Sequence, residues 1–139
     1  MTEAFQYWRF EEFIKIYSYA SGCTEGQRQF LRSSVQGDLN RFIANALNAS
    51  GGFKMKTDKF RQVASALREP NLKNLLYISD CPKKATSAIQ AGIRALVVNR
   101  DNSSTGKYSP SETANLQVVV NLSDIQFIDD PQATVTSCC

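Results

Sequence analysis

The chain has 139 residues, 42% hydrophobic and 21% charged, and 16 lysines and arginines against 13 aspartates and glutamates leave a net charge of +3. That size fits one domain around one core, and basic residues this scattered give no electrostatic footprint for nucleic acid or a membrane surface. Histidine is absent, which removes imidazole acid–base chemistry and the commonest metal ligand together.

The first residues, Met1-Thr2-Glu3-Ala4-Phe5, lack an apolar signal core, and no stretch is long and apolar enough to span a bilayer. A cytoplasmic location is expected, with the nucleus as an open alternative. Residues 3 to 13 carry Phe5, Trp8, Phe10 and Phe13 among polar neighbours, a pattern for a helix packed on a sheet. From Ile14 the sequence turns to Ile-Lys-Ile-Tyr-Ser-Tyr-Ala, β-branched and aromatic as in a strand. It stops at Ser21-Gly22, and good helix formers follow from Thr24 to Phe30. A strand, tight turn and helix start of this kind aims backbone N–H groups at an anion, although a Ser-Gly pair also serves as a plain turn. Cys23 lies here; with Cys81, Cys138 and Cys139 it forms no Cys-x-x-Cys pair, so free thiols rather than a zinc site are expected.

Residues 42 to 47 are short and apolar, and Asn48-Ala49-Ser50-Gly51-Gly52 reads as a loop that Lys54 leaves. Phe60, Val63, Ala64 and Leu67 recur at helical spacing, and Glu69-Pro70-Asn71 closes that helix. Asn74-Leu75-Leu76-Tyr77-Ile78-Ser79-Asp80 reads as a buried parallel strand ending in a polar pair. Its carboxylate then stands where open α/β sheets place their ligands, unless it only caps the next helix. Ala85, Ala88 and Ile89 share one face of that helix, with Gly92 as its C-terminal stop. A strand at 95–98, a polar loop at 99–112, a short apolar segment at 117–120 and a capped turn at 121–124 complete the body. Thr105-Gly106-Lys107 lacks the glycine that a phosphate loop needs, since Asp101 stands there. The terminal Cys138-Cys139 has no polybasic neighbour to support lipidation. Residues 1–125 are taken as one α/β core with right-handed crossovers and 126–139 as a disordered tail.

A hydroxyl with backbone donors (Ser21, Gly22), an ammonium (Lys54) and a carboxylate (Asp80) suit a phosphate ester and Mg²⁺. The order of these residues resembles the C-terminal part of the enolase-phosphatases (acireductone synthases) of methionine salvage, in the haloacid-dehalogenase-like (HAD-like) superfamily. Lys15-Ile16-Tyr17-Ser18-Tyr19-Ala20-Ser21-Gly22, Glu25 and Gln27, Gly37-Asp38-Leu39, Gly52-Phe53-Lys54, Leu76-Tyr77-Ile78-Ser79-Asp80, Ala85, Ala88, Ala91-Gly92 and Val97-Val98-Asn99-Arg100 carry the resemblance from about Trp8 to Asp124.

The resemblance implies a three-layer, Rossmann-like parallel sheet. It assigns Lys54 as catalytic, Ser21, Gly22 and Lys54 to phosphate, and Asp80 to Mg²⁺, all on one side of the sheet. It also implies the Mg²⁺-dependent conversion of a phosphorylated diketo methylthiopentane to an acireductone. Several family features are missing from this sequence: the N-terminal Asp-x-Glu-Gly-Thr strand that carries the nucleophile, the helical cap after it, and the first phosphate-binding serine, replaced by Ala20. Phe13 replaces a usual glycine. A truncated or degenerate chain without turnover of its own is therefore expected: a fragment, a pseudo-enzyme, or half of an enzyme that a partner chain completes. A non-catalytic α/β interaction module, marked by exposure of Phe5, Tyr7, Trp8, Phe10 and Phe13, is the alternative. Because the missing strand is central in the family, direct pairing of residues 75–79 with 15–19 is the expected closure of the sheet in a static structure, with a partner strand or a partly molten, marginally stable chain as the other routes.

Overall fold

Leu75-Leu76-Tyr77-Ile78-Ser79 has no side to turn to water, and all five residues of this strand (β3, Leu75–Ser79) are buried. The structure, a computed structural model, describes residues 2–20, 23–48, 57–99, 115–127 and 134–137. Successive side chains alternate between the two faces of a sheet. Leu75 and Tyr77 belong to one core with Phe60, Val63, Ala64, Ala88 and Ala91, while Leu76 and Ile78 belong to the other with Phe5, Trp8, Ile14 and Phe42. A strand with a core on both faces must be apolar throughout, which is why this run is continuous rather than alternating.

The remaining elements supply those two cores. Helix α1 (Thr2–Phe10) covers one face and helices α3 (Thr57–Ala66) and α4 (Pro82–Gln90) the other. Strand β1 (Ile16–Ala20) is followed by α2 (Thr24–Arg32), whose Leu31 joins the α1 side, and by β2 (Ile43–Asn48). Beyond β3 come α4, β4 (Arg94–Val98) and β5 (Gln117–Val119). The crossover helices α2 and α4 therefore lie on opposite faces, as right-handed connections running in opposite directions along one sheet require. The result is the expected three-layer, Rossmann-like parallel α/β arrangement.

The centre of the sheet departs from expectation. The strand order is β2-β1-β6-β3-β4-β5, and every neighbouring pair is parallel. Strands β1 and β3 do not pair directly. Between them lies β6 (Thr134–Ser137), with Val135 in register with both Ile16 and Leu76 and Thr136 with both Tyr17 and Tyr77. The expected disordered tail is thus corrected at these four residues. Two inner edges of parallel strands carry backbone groups that need partners, and Thr-Val-Thr is a β-favouring sequence. The chain's own far end meets that need.

Local signals explain the ends of the elements. Helix α1 stops three residues before Phe13, because the N–H groups of Glu11 and Glu12 both bond to the Tyr7 carbonyl, at 2.8 and 3.1 Å. Phe13 then takes φ = 55°, the left-handed conformation that favours glycine. Helix α4 begins with Pro82, whose missing N–H costs nothing in the first turn. It ends in paired bonds from Gly92 N–H to the Ile89 carbonyl (2.9 Å) and from Ile93 N–H to the Ala88 carbonyl (3.0 Å), with Gly92 at φ = 97°. Gly37-Asp38-Leu39 works in the same way. Gly37 takes φ = 91°, and Asp38 Oδ1 accepts from the Asn40 N–H at 2.9 Å, capping the 3₁₀ turn Leu39–Phe42. That bond and a second from the Asn40 side chain hold the Asp38 carboxyl below its usual range. Leu39 drops into the core.

Candidate functional site

Strands β1 and β3 run in the same direction on either side of β6, so both end at one edge of the sheet, where the strand order reverses. Open parallel sheets offer their ligand crevice at such an edge. On the β3 side the chain turns through Ser79, buried at 3% exposure, whose Oγ accepts from the Cys81 N–H at 3.1 Å. That bond turns the backbone into α4 and leaves Asp80 exposed at the end of the strand. On the β1 side Ser18, also buried at 3%, donates from Oγ to Gln27 Oε1 at 2.7 Å. Gln27 Nε2 in turn donates to the Leu47 carbonyl at 3.0 Å. One glutamine of α2 thereby ties β1 to β2 just below the edge. Cys23 caps α2, with Sγ accepting from the Gly26 N–H at 3.3 Å.

Of the four candidate residues, Asp80 alone is among the described ones; Ser21, Gly22 and Lys54 lie outside them, and so does their expected convergence. Sequence reasoning missed the parts played by Gln27 and Ser79. Their signal was a polar residue in an apolar context, a serine inside or ending a buried strand, which demands a nearby partner. It also missed the origin of the central strand.

The described residues do not gather the ligands of an all-protein metal site. Among them no group of three acidic or thiol side chains gathers to hold a metal, and Mg²⁺ is ordinarily held by one or two carboxylates plus substrate phosphate. Asp80 supplies a single carboxylate. Two clefts open elsewhere. One of about 660 Å³ is bordered by Lys73, Arg94 and Phe127 near the starts of β3 and β4, and one of about 620 Å³ by Tyr7, Trp8 and Phe127. Neither includes Asp80. Among the described residues no helix is long and apolar enough to cross a membrane.

The parallel order, the layering and the reversal beside β6 define a three-layer, Rossmann-like α/β fold. In agreement, the structure is similar to the UTR4 protein of Saccharomyces cerevisiae, with a TM-score of 0.63 and 18% identity, over 80% of this chain and 51% of that one. The chain also resembles the enolase-phosphatases in sequence. Enolase-phosphatase E1 of Drosophila ananassae is 25% identical over 132 residues, covering 95% of this chain and 51% of that protein. The Hydrogenobaculum enolase-phosphatase E1 is 31% identical over 92 residues, covering 66% of this chain and 41% of that protein. The chain therefore spans about half, or less, of the length of these curated relatives. No family model matches it.

The matching residues that the structure describes are largely scaffold. Gln27 bridges strands, Gly37-Asp38-Leu39 builds a turn, and Gly92 stops a helix. Asp80 is the exception, an exposed carboxylate just beyond the C-terminal end of β3.

Proposed function

We propose that the chain carries the phosphate-facing half of an enolase-phosphatase-like site and does not complete the reaction by itself. In this reading Ser21 and Gly22 offer a hydroxyl and backbone N–H groups to phosphate oxygens, Lys54 offsets their charge, and Asp80 faces them from the end of β3. The substrate class is a phosphorylated diketo methylthiopentane. The supporting observation is the shared edge: β1, which leads to Ser21-Gly22 in the sequence, and β3, which leads to Asp80, end side by side across one strand. The covalent aspartyl-phosphate step needs an attacking carboxylate, and no Asp-x-Glu-Gly-Thr stretch occurs in this sequence.

The test combines binding and turnover on the purified chain. A phosphate monoester, added with Mg²⁺, is expected to shift amide resonances of residues 21, 22 and 80, with Lys54→Ala weakening binding about tenfold, the effect of removing one charge-assisted contact. No hydrolysis is expected. Hydrolysis abolished by Asp80→Asn or Lys54→Ala would overturn the half-site reading, and an absence of any shift would overturn the phosphate assignment.

A second reading, a non-catalytic interaction module, is favoured by one observation. Phe5 and Trp8 are packed in the core, but Tyr7, Phe10 and Phe13 are 53%, 59% and 81% exposed. Replacing Phe10 and Phe13 with serine separates the two readings. Loss of partner capture with phosphate binding intact would favour the module.

A further inference from the structure

One side of helix α1 faces residues 123–127 across the cleft of about 620 Å³, a volume that suits a small ligand. Glu3 and Tyr7 both line it, and their four-residue spacing puts them on one face of the helix. Trp8, buried at 1% exposure, also lines it, together with Phe127, whose ring meets the indole edge-on with centroids 5.8 Å apart. Glu12 comes from the turn after the helix, and its Oε1 accepts from the Tyr7 hydroxyl at 2.8 Å. That bond and the charge of Glu12 hold the Tyr7 hydroxyl above its usual range. The charge of the cleft is one-sided. Two carboxylates line it and, among the described residues, no lysine or arginine does, in a chain whose net charge is +3. Arg9, the basic residue of α1, stands near enough to Tyr17 for its charge to act there instead. The second cleft shares residues 125–127 but is bordered by Lys73 and Arg94.

We propose that this cleft binds a small organic cation, an ammonium group on an apolar body, held by Glu3 and Glu12 and seated against Tyr7 and Phe127 over Trp8. Ionised carboxylates only accept hydrogen bonds, so they match the N–H donors of an ammonium in short, charge-assisted bonds. Aromatic faces add an attraction of their own for a cation, and Tyr7, at 53% exposure, has ring surface to offer. A hard metal ion fits less well, because two carboxylates among aromatic rings leave most of its oxygen ligands unsupplied. An anion would meet like charge. None of Ser21, Gly22, Lys54 and Asp80 is called on, so cation binding and phosphate binding can fail separately.

The test is an NMR titration of the full chain at low salt, where exposed charges are least screened. Benzylammonium is the probe, with benzyl alcohol as its neutral match and benzoate as its anionic one. Benzylammonium should give saturable shifts at the Trp8 indole N–H and at the amides of residues 3–8 and 123–127, and leave residues 93–96, beside Lys73 and Arg94, unmoved. Benzyl alcohol should bind about tenfold more weakly, the combined effect of two exposed ion pairs and a cation–ring contact. Glu3→Gln should weaken benzylammonium about threefold, and adding Glu12→Gln about tenfold in all. Glu3 is exposed, and its carboxylate makes no hydrogen bond or ion pair among the described residues, so that variant should fold as the parent does and decides the matter even if Glu12→Gln disturbs the turn. No saturable shift, equal binding of benzyl alcohol or benzoate, or parental affinity in Glu3→Gln would each overturn the proposal. An acetylated and amidated Gly-Lys-Gly peptide carries the same ammonium on a protein segment. Binding of that peptide without binding of benzylammonium would overturn the small-molecule assignment.

Discussion

Phe13 illustrates a residue at odds with its backbone. Its φ of 55° is one that L side chains rarely adopt, and its ring, 81% exposed, gains little packing in return. Phe13→Gly should remove a strain of roughly 1 kcal/mol and raise the melting temperature by about 3–6 °C; an unchanged or lower value in a thermal melt would show that the ring contributes more than its exposure suggests. Gln27 is the opposite case. It satisfies the buried Ser18 hydroxyl and the Leu47 carbonyl at once, so Gln27→Ala should destabilise by about 1–3 kcal/mol, the range for stranding a buried polar group. Adding Ser18→Ala should recover part of that loss, and a urea double-mutant cycle measures the coupling.

At the scale of elements, stops were as legible as starts. The glycine after Ala91 marked the end of α4, and the structure explains why by placing Gly92 at φ = 97° with both terminal bonds in place. Gly92→Ala should cost about 1–2 kcal/mol through the backbone alone. A Cβ at that position would sit 3.4 Å from Leu72 Cδ1, an ordinary contact. A loss well above that range in denaturant unfolding would point to a steric clash instead. The early end of α1 was not legible, because Phe5, Trp8 and Phe10 continue toward Phe13 at helical spacing. What ends the helix is the doubled bond to the Tyr7 carbonyl, a geometric event with no residue signature.

For the molecule as a whole, β6 decides whether β1-β2 and β3-β4-β5 form one sheet or two. Each side rests on its bonds to that strand, so Val135→Pro should lower hydrogen-exchange protection at residues 16–18 and 75–78 together. Loss confined to one side would mean that the two halves are coupled through the helices rather than through the central strand. The effect should be large, since several buried backbone groups left without partners, at roughly 1–3 kcal/mol each, rival a domain's stability of about 5–15 kcal/mol.

The sequence by itself determined the local elements and the parallel α/β class. Continuous apolar runs, helical spacing and cap residues act over a few neighbours and can be read in chain order. It also placed Asp80 at a strand end, because the run stops there abruptly. Only the tertiary structure decided what lies between β1 and β3. Thr134-Val135-Thr136-Ser137 differs little in pattern from any short polar tail, and nothing local marks it as central. Its place is set by two distant edges whose unpaired N–H and carbonyl groups must be matched, a requirement that exists only once the rest of the sheet has formed.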